Sequence, residues 1–110
     1  MRIVVINSET MGRGDSELGQ RLLGSFLRKL WARPQKPDVI IFYNSGVKLL
    51  ARGSTVLDAL KGLADAGVDL VACGTCISFF QLKDSLEVGR IGDMEEIAGL
   101  FMTADHTITI

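Results

Sequence analysis

Cys73 and Cys76 are the only thiols in this 110-residue chain, and they stand three positions apart in Cys73-Gly74-Thr75-Cys76. They follow the apolar run Val68-Asp69-Leu70-Val71-Ala72. That pattern puts Cys73 at the end of a buried strand and Cys76 in the first turn of a short helix. Free N–H groups and the dipole at a helix start favour negative charge, which lowers a thiol pKa from about 8.5 toward neutrality. A thiolate is the form that attacks sulfur, so the pair suits thiol chemistry, with Cys76 the better placed and Cys73 the less accessible. The plain alternative is packing, since free cysteine often serves as a small buried hydrophobe. Both are taken as candidate catalytic residues.

Zinc would want four ligands, or three and a water. Two cysteines and the lone His106, at the far end of the chain, fall short of that count. No metal and no cofactor are expected.

Two other loops carry polar and glycine residues after apolar runs. One is Asn7-Ser8-Glu9-Thr10-Met11-Gly12-Arg13-Gly14-Asp15, and the other is Asn44-Ser45-Gly46-Val47-Lys48. Ligands of open α/β sheets gather beyond the carboxyl ends of the strands, where these loops would lie. Candidate pocket residues are therefore Ser8, Gly12, Arg13, Gly14, Asn44, Ser45, Gly46, Lys48 and Thr75. Lys48 and Arg52 could hold an anion near the thiols or stay solvated. A dinucleotide fingerprint fails, because its third glycine position holds Glu17, and no P-loop sequence occurs. Val47, Leu49 and Leu50 would cover the pocket, meet another subunit, or form a short helix over the core.

Positioning these loops requires strands and helices in alternation. Ile3–Ile6, Val39–Tyr43, Val68–Ala72 and Thr107–Ile110 read as strands, the last an edge or half-covered one. Leu86–Ile91 is a weaker candidate. Between the first two strands, Leu18, Leu22, Leu23, Phe26, Leu27 and Leu30 repeat as one face of a helix, which Asp15 would cap. Further helices are expected from Ser54 to Ala66, with Gly67 as the stop, and from Asp93 to Thr103. In the latter, Asp93 and Glu96 resemble a capping box. Such alternation implies right-handed crossovers and one doubly wound α/β domain with a mostly parallel sheet.

Composition narrows the function. A chain with 47% hydrophobic and 23% charged residues can bury a core without disulfides. Twelve Lys and Arg against 13 Asp and Glu leave a net charge of −1, which argues against nucleic acid as a main partner, since such proteins usually carry a basic face. No apolar stretch approaches the roughly 18–20 residues that span a bilayer, and no signal peptide precedes the first strand. A cytoplasmic protein is expected, with free thiols rather than a structural bridge.

The motifs Met11-Gly12-Arg13-Gly14-Asp15, Glu17-Leu18-Gly19, Asn44-Ser45-Gly46-Val47-Lys48-Leu49, Cys73-Gly74-Thr75-Cys76 with Leu82-Lys83-Asp84, and Val88-Gly89-Arg90-Ile91 with Asp93-Met94 carry a resemblance. Together they resemble the C-terminal domain of YedF-type proteins in the DsrE-like superfamily, described as sulfurtransferase-like with a proposed link to selenium metabolism. The resemblance implies one flavodoxin-like, three-layer domain over residues 1–110 with about five strands. It also implies assembly into a homo-oligomer, as a dimer, trimer or hexamer. In sulfur-relay members a cysteine ending the third strand carries a persulfide, which corresponds to Cys73, with Cys76 an extra cysteine typical of the YedF group. The position in the family and the pKa argument thus favour different members of the pair. YedF-type proteins usually carry an N-terminal TusA-like domain as well, which this sequence does not include. The expectation is a fragment, or a stand-alone form that meets a sulfur donor or TusA-like protein in trans.

Three functions compete. The first is a carrier or sulfurtransferase-like protein passing persulfide sulfur, or selenium, between partners. The second is a non-catalytic small-molecule-binding or assembly module with incidental cysteines. A dithiol oxidoreductase ranks third, since Val71-Ala72 precede the pair where a thioredoxin-type Trp would stand.

Overall fold

Runs of β-branched residues have no polar face to offer water, so they fold as strands covered on both sides. In the computed structural model, which describes all 110 residues, these runs become β1 (Arg2–Ile6), β2 (Val39–Phe42) and β3 (Asp69–Cys73). β4 (Arg90–Gly92) and β5 (His106–Thr109) complete a five-stranded sheet in the order β4-β3-β2-β1-β5. Every neighbouring pair is parallel. The sheet expected to be mostly parallel is wholly so, and β5 is indeed an edge. The weaker candidate at Leu86–Ile91 needs correction, because the strand begins only at Arg90. Ahead of it Leu86 bridges antiparallel to Ala51, and Gly89 turns the chain at a φ of 85°.

Four helices connect the strands: α1 (Ser16–Ala32), α2 (Leu57–Asp65), α3 (Gly74–Phe79) and α4 (Met94–Thr103). A 3₁₀ segment, Asn44–Leu50, follows β2. Asp15 caps α1 as expected, its carboxylate accepting from the Leu18 N–H at 2.8 Å. α2 starts later than its periodicity predicts, because the Ser54 hydroxyl accepts from the Val56 N–H at 3.3 Å and holds a turn there. Only half of the capping box at α4 forms. Asp93 accepts from the Glu96 N–H at 2.8 Å, while the Glu96 carboxylate turns to Arg90 instead.

Strand order dictates the layers. β1 through β4 step across the sheet in one direction, so right-handed crossovers lay α1, α2 and α3 on a single face. The return from β4 to β5 runs the other way and lays α4 on the opposite face. The packing agrees. Val4, Ile6, Ile40, Phe42 and Leu70 meet Leu23, Leu27, Leu60, Leu63 and Ile77 on the first face. Ile3, Val5, Val39, Ile41, Val71 and Cys73 meet Ile97 on the second, with Leu100 and Phe101 partly buried beside them. Val47, Leu49 and Leu50 are buried in the first core, which settles their role as core cover.

The apolar stripe of α1 is wider than the core it covers. Leu23 and Leu27 are buried, but Leu18 and Leu22 are 54% and 46% exposed. β5 is exposed along its whole length, Ile108 included. At the start of the sheet the Met1 ammonium pairs with Asp105, which holds that carboxyl below its usual range. No helix is long and apolar enough to cross a membrane.

α3 ends in a Schellman motif. The Gln81 N–H donates to the Ser78 carbonyl at 3.1 Å and the Leu82 N–H to the Ile77 carbonyl at 3.0 Å. Gln81 itself sits at a φ of 57°, a left-handed conformation that glycine adopts without steric cost. Q81G is therefore expected to stabilise the fold by about 0.5–1 kcal/mol, read as a rise in Tm. An unchanged or lowered Tm would show that the Gln81 side chain offsets its backbone strain.

Candidate functional site

The three loops that follow β1, β2 and β3 meet at the carboxyl edge of the sheet. Their junction is built on close backbone approach. A Cβ at Gly46 would drive into the carbonyl of Ile6 at the end of β1, with the Ser8 nitrogen also near at 3.3 Å. No side chain fits there. The Ser45 hydroxyl accepts from the Glu9 N–H at 3.3 Å, and the Tyr43 N–H donates to the Ile6 carbonyl at 3.2 Å. Ser45 and Gly46, expected in the pocket, instead fasten the second loop to the first.

Within the first loop the Ser8 hydroxyl accepts from the Thr10 N–H at 3.1 Å and lies 3.2 Å from the Thr10 hydroxyl. The Met11 N–H donates to the Gly19 carbonyl at 3.0 Å, which lays the loop along the start of α1. Gly12 and Gly14, at φ of 83° and 129°, let the chain double back before Asp15. A depression of about 660 Å³ opens here, lined by Ser8, Gly12, Arg13, Gly14 and Asn44 among others. Ile110, just beyond β5, closes its far side. It thus sits between β1 and β5, where strand order reverses and α/β sheets hold their ligands.

Two expected pocket residues lie elsewhere. Lys48 borders a separate hollow of about 280 Å³ with Glu9 and Arg52. Its ammonium is 3.9 Å from the Glu9 carboxylate and 4.5 Å from the centre of the Phe80 ring. Lys48 does not line the depression. Thr75 is exposed on α3 outside the depression. His106 begins β5 in register with Arg2, at the opposite end of the strands from the cysteines.

Cys73 and Cys76 both carry free thiols. Cys73 ends β3 opposite Gly92 of β4 and is 1% exposed, its side chain in the second-face core. Cys76 is half-buried and touches the apolar clusters of both faces. Its Sγ accepts from the backbone N–H of Asn44 at 3.0 Å. Asn44 itself adopts a φ of 51°, a left-handed conformation in which asparagine is enriched, and this turns the chain from β2 into the 3₁₀ segment. Asn44, expected in the pocket, does line the depression, and its backbone also meets the sulfur.

The expected lowering of the Cys76 pKa is overturned. Burial pushes the thiol up, the Asn44 N–H pulls it down, and the neighbouring Cys73 thiol pushes it up again, for a net rise. α3 has only six residues, so it offers little dipole to counter burial. Cys76 is a protected thiol with one donor in place.

Family relationships agree with this architecture. The profile of the DsrE/DsrF-like family matches residues 2–110. The chain belongs to that family. DsrE-like proteins are associated in general with sulfur relay. Among solved structures, the YchN protein from E. coli is 20% identical and superposes with a TM-score of 0.66, each chain covered to 100%. MTH1491 from Methanobacterium thermoautotrophicum, described as a protein of unknown function, is 23% identical at a TM-score of 0.72, with 99% of this chain and 98% of that one covered. BT1422 from Bacteroides thetaiotaomicron is 14% identical at 0.69, covering 99% and 94%. These likenesses concern the DsrE-like fold alone. No curated protein matches this sequence significantly.

Because the Cys76 pKa is raised, a smaller fraction of it is thiolate at a given pH than in an unstructured cysteine. The pH profile of Cys76 alkylation is expected to have a midpoint above that of an unstructured cysteine, and C73A is expected to move it down. A wild-type midpoint below the ordinary value would contradict this electrostatic balance.

Proposed function

We propose that this protein is a cysteine-dependent sulfur carrier of the sulfurtransferase-like kind. It receives sulfane sulfur, or its selenium counterpart, as a persulfide on the Cys73–Cys76 pair and hands it to a partner. The observation that carries the reading is a half-buried thiol at the carboxyl edge of the sheet with a backbone N–H already aimed at its sulfur. An N–H donor stabilises a sulfur anion, and burial slows loss of a persulfide to adventitious thiols. The family's general association with sulfur relay supports the same reading. Neither cysteine lines the depression, but Asn44 does, and its N–H meets the Cys76 sulfur. Ser8, Gly12, Arg13, Gly14 and Asn44 would therefore form a neighbouring wall for a small donor or the tip of a donor protein. A TusA-like protein in trans is the kind of donor this surface would serve.

A second reading has its own support. The depression between β1 and β5, and the exposed Leu18, Leu22 and Ile108, suit a binding or assembly module that forms a homo-oligomer. The two readings part on one experiment. Intact-mass measurement after exposure of the reduced protein to a persulfide donor is expected to show a gain of one sulfur, absent from the C73S/C76S double variant. No adduct on the wild type, with an oligomer unaltered by the double substitution, would favour the assembly module.

A further inference from the structure

The two cysteines differ in access, partner and surroundings, and that asymmetry assigns them different tasks. Cys73 is 1% exposed in the core beneath α4, so no donor reaches it without opening the fold. Cys76 is half-buried and alone accepts the Asn44 N–H, at 3.0 Å. Cys73 is the cap of α3 and Cys76 its third residue, a spacing at a helix start that brings two Cα atoms within disulfide range.

We propose that Cys76 is the receiving thiol, that the backbone N–H of Asn44 holds its sulfur anion, and that Cys73 is a resolving thiol that discharges unclaimed sulfur as hydrosulfide. This rests on the carrier reading above and divides its labour. In the first step the Cys76 thiolate attacks the terminal sulfur of a donor persulfide. The donor's S–S bond breaks, the donor leaves as a thiolate, and Cys76 holds a persulfide. An acceptor that docks in time takes that terminal sulfur. Without one, Cys73 attacks the Cys76 Sγ and passes its proton to the terminal sulfur. The bond between Sγ and the terminal sulfur breaks, and its electron pair leaves with hydrosulfide. One sulfane sulfur gains two electrons and two cysteines lose two, forming the Cys73–Cys76 disulfide. A low-molecular-weight or protein dithiol then returns the pair to thiols by exchange.

The burial that protects Cys73 from donors makes it a slow resolver, which leaves time for transfer. Asn44 acts as a positioning residue through its backbone. Its left-handed conformation, open to Asn and Gly but costly for a β-branched residue, fixes the turn at which that N–H sits, so a strained replacement would shift the turn.

The test follows sulfur by intact mass and hydrosulfide by trapping, on wild type, C73S, C76S, N44G and N44V after a brief exposure to a low-molecular-weight persulfide. Wild type is expected to gain one sulfur, then lose it along with two hydrogens as one hydrosulfide per chain appears. C73S should gain the sulfur and keep it, with hydrosulfide release at least about tenfold slower, as loss of an intramolecular resolving thiol requires. C76S should gain none. N44G should load like wild type, while N44V should load about threefold more slowly at neutral pH, because a smaller thiolate fraction is only partly offset by the higher nucleophilicity of a more basic thiolate. Loading of C76S with none on C73S would overturn the assignment and leave the carrier reading intact. Equal hydrosulfide release from C73S and wild type would overturn the resolving role alone. No sulfur on wild type would remove both. The cysteine arms decide the roles even if N44V fails to fold.

Discussion

The contact on which the site depends is backbone against backbone, where the Asn44–Leu50 segment is pressed onto the end of β1. Gly46 has no room for a Cβ beside the Ile6 carbonyl. That closeness sets the height of the segment above the sheet, and the segment in turn sets the direction of the Asn44 N–H. Beneath it Val47, Leu49 and Leu50 sink into the first-face core, so apolar burial holds the clamp shut. A polar contact to sulfur is thus fixed by packing several residues away.

A second set of forces fixes the far side of the thiols. β4 has only three residues and so makes few ladder hydrogen bonds. Arg90 supplements them, reaching both Asp69 oxygens at 2.9 Å and the Glu96 carboxylate at 2.6 and 3.0 Å. A guanidinium forked between two carboxylates ties β4 to β3 and α4 together, and it holds the Glu96 carboxyl below its usual range. Because Gly92 faces Cys73 in register, this network steadies the wall behind the buried thiol.

Much of the fold was legible in the sequence for one reason: buried parallel strands and amphipathic helices leave periodic marks. Asp15, Gly67 and Asp93 marked helix ends because caps and left-handed stops favour a few residue types. β4 was blurred, since its place is held by Arg90 rather than by an apolar run. The site was legible in its parts and less so in its assembly. Ser8, Gly12, Arg13, Gly14 and Asn44 do line one depression, but Lys48 lies outside it beside Glu9 and Phe80, partners no spacing rule reveals. The Cys76 pKa went the other way because desolvation is set by what packs around a sulfur. A sequence shows the helix start, while only the assembled fold shows the burial.

A wholly parallel sheet also places the two chain ends at opposite poles. β1 begins at the end remote from Cys76, whereas Ile110 lines the depression beside Asn44. The body is 34 Å across in two directions and 28 Å in the third. A domain tethered ahead of Met1 would need about ten extended residues merely to travel that distance. One tethered after Ile110 would begin beside the site and need almost none. Linker length therefore sets whether a fused partner can serve its own thiol pair or must reach that of a neighbouring molecule.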